Sequence, residues 1–310
     1  MKTSSQFHSL TPDEYAGLQA VETNAFRLLT GPGGWAEYYA GTVLLSATAK
    51  PDFWPLKSAA LDLCQALKLS VGPVFGRLLA KTQSGQTAPE QLDGPPDAPT
   101  SFNVLESGLR FKIDLSAGYS IGLFIDQTQN RRYLQRLRPR RLLNCFSYTC
   151  AFSVAAAALG AETTSVDISK KALEWGRSNF ELNGIEPAGH RFFADDVREA
   201  LARLARRKER FDCIILDPPT FARSHKGKVF QVEDEMEALI RQALACLSSG
   251  GSLLASTNSR QINQGALLPM ARSALATCQI SASFHQEPPP PGFPPSAMPA
   301  TLWLLAREGK

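Results

Sequence analysis

Asp217-Pro218-Pro219-Thr220-Phe221 joins a carboxylate, two prolines, a hydroxyl and an aromatic ring directly after the apolar run Phe211-Asp212-Cys213-Ile214-Ile215-Leu216. A short apolar run bounded by charged residues and prolines reads as a buried strand of a parallel sheet. The prolines end the strand and stiffen the chain just past its carboxyl end. That edge is where open α/β sheets bind ligands. An acidic side chain, carbonyls that cannot be drawn into a helix and an aromatic ring together suit a planar, hydrogen-bonding ring. The same five residues also fit an ordinary strand-terminating Asp-Pro turn.

Two further strand ends carry carboxylates. Asp167 closes Thr163-Thr164-Ser165-Val166-Asp167, roughly twenty residues after the strand Arg141-Leu142-Leu143-Asn144-Cys145-Phe146, a spacing that suits a carboxylate accepting from ribose hydroxyls. Asp195 and Asp196 close Arg191-Phe192-Phe193-Ala194, where a side chain can reach an adenine edge. A nicotinamide enzyme would share the ribose carboxylate, but would want G-x-G-x-x-G after the first strand so that backbone can approach a pyrophosphate. Here that loop reads Cys145-Phe146-Ser147-Tyr148-Thr149-Cys150, without glycine. A ligand with adenosine and no pyrophosphate fits better, and S-adenosylmethionine is that ligand.

These residues need a scaffold, and from Arg141 onward the chain supplies a strand-helix alternation that implies βαβ units and a parallel sheet. Helices are expected over 152–159, 169–183, 197–208, 233–247 and 267–277. Later strands are expected over 250–256, 279–285 and 301–306, with the proline run Pro288 to Pro299 as an extended connection between the last two. Before residue 115 the segments are short and mixed. Strands at Ala25–Thr30 and Ala40–Ala49 flank the Gly31-Pro32-Gly33-Gly34 turn, a helix covers Ser58–Leu69, and Pro73–Lys81 is a further strand. Residues 83–100 read as an exposed loop, and Phe102–Leu115 as a hairpin turning at Ser107-Gly108. The expected division is 1–115, a small N-terminal α+β domain able to contact substrate, and 116–310, the catalytic domain. Trp35, Trp54, Trp175 and Trp303 read as core or domain-contact residues.

At 310 residues with 44% hydrophobic and 20% charged, the chain can bury one large or two ordinary cores and is not disordered overall. No apolar run approaches the ~20 residues that span a membrane, and Met1 to Leu10 lacks the apolar centre of a signal peptide. The six cysteines form no CxxC pair, so neither a zinc site nor a disulfide framework is expected. Cytoplasmic residence with reduced thiols follows. The net charge of +4 is unevenly spread: Arg131, Arg132, Arg136, Arg138, Arg140 and Arg141 crowd one segment, Arg203, Arg206, Arg207, Lys208 and Arg210 a second, and Arg223, Lys226 and Lys228 a third. Such runs are commonly solvated faces, but three of them, one beside Phe221, point to a polyanionic partner.

The chain also resembles a known family. Gly122-Leu123-Phe124-Ile125-Asp126-Gln127-Thr128-Gln129-Asn130-Arg131, Asn144-Cys145-Phe146-Ser147-Tyr148-Thr149, Ser165-Val166-Asp167-Ile168-Ser169, Asp217-Pro218-Pro219-Thr220-Phe221 and Ser256-Thr257-Asn258-Ser259-Arg260 resemble, in order and at compatible spacing, the class I S-adenosylmethionine-dependent methyltransferases of bacterial 23S ribosomal RNA. The likeness is to the guanine-N7 module and its relatives, and it covers roughly residues 100–265. It implies an α/β fold with a Rossmann-like seven-stranded sheet whose last strand is antiparallel. On the donor side it implies Arg131, Phe146, Ser147, Tyr148, Asp167, Ile168 and Asp195 or Asp196. On the catalytic and acceptor side it implies Asp217, Pro218, Pro219 and Phe221, with Thr220, Arg223, Asn258 and Arg260 toward the substrate. The chain carries Cys150 where family members usually carry glycine, and lacks the PUA- or THUMP-type domains that relatives add.

Chemistry narrows the methylated atom. Carbon-5 methylation of a pyrimidine requires a thiolate adding to carbon 6, and neither acceptor-side loop, Asp217–Thr220 or Ser256–Asn258, holds a cysteine. Cys213 and Cys246 read as core residues in a strand and a helix. Nitrogen methylation needs only alignment and exclusion of water, so a nitrogen of an RNA base is the expected acceptor, and the resemblance implies ribosomal RNA with guanine favoured. Two alternatives stay open: a methyltransferase acting on a small molecule or protein, and a donor- or RNA-binding module without turnover. No metal is expected, and the sequence carries no signal of oligomeric state.

Overall fold

The computed structural model describes residues 6–79, 87–223, 229–259 and 261–307. Of the residues named above, Arg260 lies outside them, as do Lys226 and Lys228. The chain forms two compact units, Met1–Thr128 with Pro289–Met298, and Gln129–Pro288 with Pro299–Lys310. The compact division thus falls after Thr128, where the sequence suggested 115.

The first unit holds β1 (His8–Ser9), α1 (Pro12–Ala20), β2 (Ala25–Gly31), β3 (Gly34–Tyr39), β4 (Thr42–Ala47), α2 (Phe53–Ala66), β5 (Val74–Leu78) and β6 (Glu90–Asp93). Its six strands lie in chain order, with β4–β5 the one parallel pair among them. Parallel neighbours need a crossover, and α2 is that crossover. α1 opens with a capping box, Thr11 Oγ1 accepting from Glu14 N while the Glu14 carboxylate accepts from Thr11 N, and with proline at its first position. Two expectations change here. The strand after the glycine turn is β3, which the sequence did not separate from β4: every β3 residue except Trp35 is buried, so no alternation marks it. The stretch read as an exposed loop contains β6. The hairpin forms as expected, β7 (Ser101–Glu106) and β8 (Leu109–Asp114) joined by Ser107 at φ 53° and Gly108 at φ 76°, the paired left-handed geometry of a two-residue turn.

The proline run does more than connect. Pro289–Met298 folds with the first unit, where the buried Phe293 ring lies 4.1 Å from the Arg27 guanidinium. Arg27 also stands 4.9 Å from the Trp35 ring and pairs with Glu37 at 3.0 Å. Gly292, at φ 75°, passes so near that a Cβ there would sit 2.1 Å from the Arg27 carbonyl oxygen. Trp54, expected in a core or contact, is 72% exposed.

The second unit carries α3 (Thr128–Leu137), β9 (Arg141–Cys145), α4 (Ala151–Ala157), β10 (Glu162–Asp167), α5 (Lys170–Leu182), β11 (Arg191–Ala194), α6 (Val197–Arg206), β12 (Phe211–Leu216), β13 (Phe221–Arg223), β14 (Val229–Gln231), α7 (Val232–Leu244), β15 (Leu247–Thr257), α8 (Gln264–Thr277), β16 (Ala282–His285) and β17 (Ala300–Ala306). Seven strands form one sheet in the order β11-β10-β9-β12-β15-β17-β16, with β17 antiparallel to both neighbours. This is the Rossmann-like sheet expected. Successive strand residues point to opposite faces. Leu143, Ile214 and Leu216 therefore pack with α6, α7 and α8, while Leu142, Cys213 and Ile215 pack with Leu134, Phe152 and Trp303. Trp303 is fully buried and donates its Nε1–H to Asn130 Oδ1 at 2.9 Å. The small β13–β14 ribbon, absent from the sequence reading, follows directly on Thr220.

Candidate active site

Strand register decides where the loops meet. Cys145 lies opposite Val166 and Leu216, Leu216 opposite Ala255, and Asp167 opposite Ala194. Asp167 ends β10, and residues 146–150, 168–169, 195–196, 217–220 and 258–259 therefore all follow the sheet along one edge, at the carboxyl ends of its parallel strands. β9 sits between β10 and β12, so the glycine-free loop lies between Asp167 and Asp217.

That loop is held in an unusual backbone. Phe146, Tyr148 and Cys150 adopt φ of 58°, 46° and 62°, the left-handed region that costs a residue with a Cβ about 1–2 kcal/mol. Its N–H groups are engaged within the fold: Ser147 N donates to Val166 O at 3.0 Å, Cys150 N to Ser147 O at 2.7 Å, and Tyr148 N to Asp167 Oδ2 at 2.9 Å. Ser169 N donates to Asp167 Oδ1 at 2.8 Å. The Asp167 carboxylate thus takes one such bond on each oxygen and keeps further acceptor capacity. Burial raises its pKa, opposed by the backbone N–H groups of Ser169, Tyr148 and Ile168.

Cys150 begins α4, is fully buried, and points into α5. A Cβ on Gly176 would lie 2.5 Å from Cys150 Sγ, so the glycine in mid-helix makes the space that the cysteine fills. A glycine inside a helical pattern is the signal that could have revealed this pairing. Next to it, the Trp175 ring lies 6.3 Å from that of Tyr148, with Nε1 buried and without an acceptor among the described residues. Asn179 Nδ2 donates to Thr149 O at 2.9 Å, and Asn144, Ser153 and Ser165 form a buried hydrogen-bonded chain under the loop, at 3.0 and 2.8 Å. Of these supporting residues, the sequence did not single out Gly176, Asn179 or Ser153.

The two carboxylates after β11 differ in occupation. Asp196 caps α6 by accepting from Arg198 N at 2.9 Å and is gripped by the Arg198 guanidinium, which holds its carboxyl below the usual range. Arg198 is held in turn by Glu235 at 2.8 Å. Asp195 accepts from Asp196 N through Oδ1 and pairs with Arg203 through Oδ2, while its own N–H donates to Asp167 O at 3.1 Å. Arg131 is buried within α3, its guanidinium 5.5 Å from the Phe152 ring. Phe146 packs against the main core.

On the acceptor side Asp217 is half-buried, Pro218 buried, and Pro219 and Thr220 exposed. Thr220 Oγ1 donates to Asn258 Oδ1 at 3.1 Å, joining the loops after β12 and β15, and Val232 N donates to Thr220 O at 3.3 Å. Ser259 Oγ bonds the Glu233 carboxylate at the start of α7. Phe221 and Arg223 belong to β13, paired with Gln231 and Val229, and their side chains lie outside the described residues. Thiol chemistry is disfavoured: burial raises Cys145 and Cys213 and pushes Cys150 up to about 12. Cys246 lies between α7 and β15 instead of inside the expected helix, and burial pushes it up to about 11. His190 bonds Thr163 through Nδ1 at 3.0 Å.

The sequence model of the S-adenosylmethionine-dependent methyltransferase family matches residues 57–305. YwbD of Bacillus subtilis (strain 168) is 30% identical over 249 residues, covering 78% of this chain and 62% of that protein. The ribosomal RNA large subunit methyltransferase K/L of Legionella pneumophila (strain Corby) is 32% identical over 250 residues, covering 79% of this chain and 34% of that protein. The chain thus spans a third to somewhat under two thirds of these relatives. Among solved structures, SMU.776 complexed with SAH superposes with a TM-score of 0.79 at 27% identity, covering 95% of this chain and 78% of that one.

Proposed function

The chain belongs to the S-adenosylmethionine-dependent methyltransferase family, and from that premise we propose that it methylates a nitrogen of an RNA base, with ribosomal RNA and guanine favoured. One observation carries the reading: three neighbouring strands, β10, β9 and β12, end in a half-buried carboxylate, a loop without phosphate-binding glycines, and Asp217-Pro218. At about 4.8 Å per strand, Asp167 and Asp217 leave the sheet about 10 Å apart. That span suits a nucleoside on one side and its reactive end on the other.

The residues fit the donor. Asp167 has acceptor capacity for ribose hydroxyls, and the N–H groups of Ser147, Tyr148 and Cys150 are taken by the fold, so the loop is no pyrophosphate cradle. Both carboxylates after β11 are engaged, Asp196 by α6 and Arg198 and Asp195 by Arg203 and Asp196 N; Asp195, whose own N–H bonds Asp167 O, is the proposed partner of the adenine edge. Ser147, Ile168 and the rings of Phe146 and Tyr148 would flank the nucleoside, with Arg131 behind them. Bound S-adenosylmethionine supplies an electrophilic methyl group on a sulfonium.

The acceptor side needs to orient a nitrogen and exclude water. Asp217 and the Pro218 carbonyl would accept the hydrogens of an exocyclic amine and turn its lone pair toward the methyl group; for a ring nitrogen they would hold the neighbouring edge. Pro219 stiffens this turn. The Thr220–Asn258 bond holds the two loops beside it together. A base taken from a helix must be flipped out, and Phe221 is the proposed stacking partner, with Arg223 and Arg260 proposed for the flanking phosphates. A carbon-5 route is disfavoured because the thiols on these strands are buried and protonated.

Residence in the cytoplasm is part of the proposal; among the described residues no helix is long and apolar enough to cross a membrane, and no cluster of side chains could hold a metal. Mass spectrometry of ribosomal and transfer RNA from cells with and without this chain tests the acceptor. Loss of one methylated nucleotide is expected. Donor binding by calorimetry without any lost RNA methylation would point to a small-molecule or protein acceptor, and no donor binding would overturn the enzyme reading.

A further inference from the structure

Parts of two of the three basic clusters lie away from the methyl-transfer edge. β9 begins at Arg141 and β12 at Phe211, and these strands are neighbours, so the cations just before each meet at the opposite, amino edge of the sheet. Arg141 Nη1 donates to Arg210 O at 2.7 Å, and the N–H groups of Arg140 and Arg141 donate to Asp212 Oδ2 at 3.0 and 3.1 Å, which confirms that segments distant in sequence are joined there. Arg138, Arg140, Arg206, Arg207, Lys208 and Arg210 are all exposed at this edge. The carboxylates nearby bond other partners, and Glu209 also feels the charge of Arg207. Asp212 holds those two backbone N–H groups, Glu209 bridges Arg191 at 2.7 Å and Arg141 at 3.5 Å, and Glu162 faces Arg141 at 3.7 Å. Among the described residues no ion pair joins any of the six exposed cations to a carboxylate. One edge thus carries more positive charge than the whole chain nets, +4.

We propose that this amino edge binds the phosphates of a double-helical RNA stem adjoining the target nucleotide. The inference rests on the RNA reading above and adds a second contact surface to it. Single-strand binding would want exposed aromatic rings for base stacking, and among the described residues the exposed large aromatics, Trp54 and Phe124, belong to the first unit. Cations without rings suit a duplex, which is held through shape and phosphates. β12 is six residues long, so the two edges stand about 20 Å apart. The substrate is therefore a folded RNA reaching that far from the methylated base, not an isolated nucleotide or short loop.

The test compares the wild type with Arg206→Ala/Arg207→Ala/Lys208→Ala, using an RNA hairpin of arbitrary sequence and fluorescence anisotropy over a range of salt. Each lost phosphate contact lowers the slope of log affinity against log salt by about 1, so a drop of about 3 is expected. Calorimetric donor affinity should be unchanged, which shows that the variant is folded. Arg138→Ala/Arg140→Ala on the β9 side should lower the slope by about 2. An unchanged slope in both variants overturns the surface and leaves the RNA reading standing. Equal affinity for a single-stranded oligonucleotide of the same length overturns the stem assignment. A wild type with no salt-dependent hairpin binding also overturns the surface, and the RNA reading is then judged separately by lost methylation.

Discussion

Gly176→Ala should change the sign of its effect with the residue at 150. Its new Cβ would stand 2.5 Å from Cys150 Sγ, 3.0 Å from Cys150 Cβ and 3.5 Å from the Thr149 carbonyl carbon. Rotating the cysteine about χ1 moves Sγ but leaves its Cβ where it is, so the loop backbone must shift. Overpacking of this kind costs about 1–3 kcal/mol, against a gain of about 1 kcal/mol from replacing a mid-helix glycine. The net expectation is about 0–2 kcal/mol of destabilisation. In a Cys150→Gly background the obstruction is gone and Gly176→Ala should stabilise by about 0.5–1 kcal/mol. Cys150→Gly itself relieves left-handed strain of about 1–2 kcal/mol but leaves a small cavity. Urea denaturation of the four proteins measures the coupling, expected at about 1–3 kcal/mol. Calorimetric donor affinity should weaken in Gly176→Ala and recover in the double variant, because the shifted loop carries the Tyr148 N–H that holds Asp167. Coupling below about 0.5 kcal/mol would refute the claim that the two residues share one space.

Asp167→Ala leaves the Tyr148 and Ser169 N–H groups without their acceptor, at about 1–3 kcal/mol each; thermal unfolding should report the loss, and donor binding should become undetectable by calorimetry. Because burial raises the Asp167 carboxyl, its own contribution to stability is complete below the usual value of about 3.9 and is lost as pH rises through the folded value. Donor binding needs the ionised form, so affinity should fall as pH drops through that raised value, and a calorimetric pH series that is flat down to pH about 4 would contradict this. Asp217→Ala should keep donor affinity within a few-fold while single-turnover methyl transfer slows by about 100-fold; equal loss of both would mean that Asp217 belongs to the donor side. Iodoacetamide should label native protein at Cys278, the one cysteine that is not buried, and all six after denaturation, as read by intact mass; fast labelling of Cys145 or Cys150 would show that the core around the loop opens.

Much of the second unit was legible because its signals are local. Apolar runs of five or six residues separated by helical patterns specify buried parallel strands, and Asp or Asp-Pro at their carboxyl ends marks where each stops. The absence of glycine between Cys145 and Cys150 spoke against a pyrophosphate cradle without any coordinates. In the first unit β3 escaped because both its faces are buried, which removes the alternation that announces a strand.

By itself the sequence determined the strand-helix order, the carboxylates at the strand ends, and the lack of a cysteine in the acceptor-side loops, since each depends on residues adjacent in the chain. Tertiary structure alone decided which distant residues share space. It seated Cys150 against Gly176, tied Asp196 to Arg198 and Glu235, folded Phe293 onto Arg27, and gathered two separate basic segments at the amino edge. The physical reason is the parallel sheet, whose crossovers make neighbours of strands far apart in sequence. Whether a charge is solvated, paired or left facing outward then depends on what the neighbouring strand brings beside it.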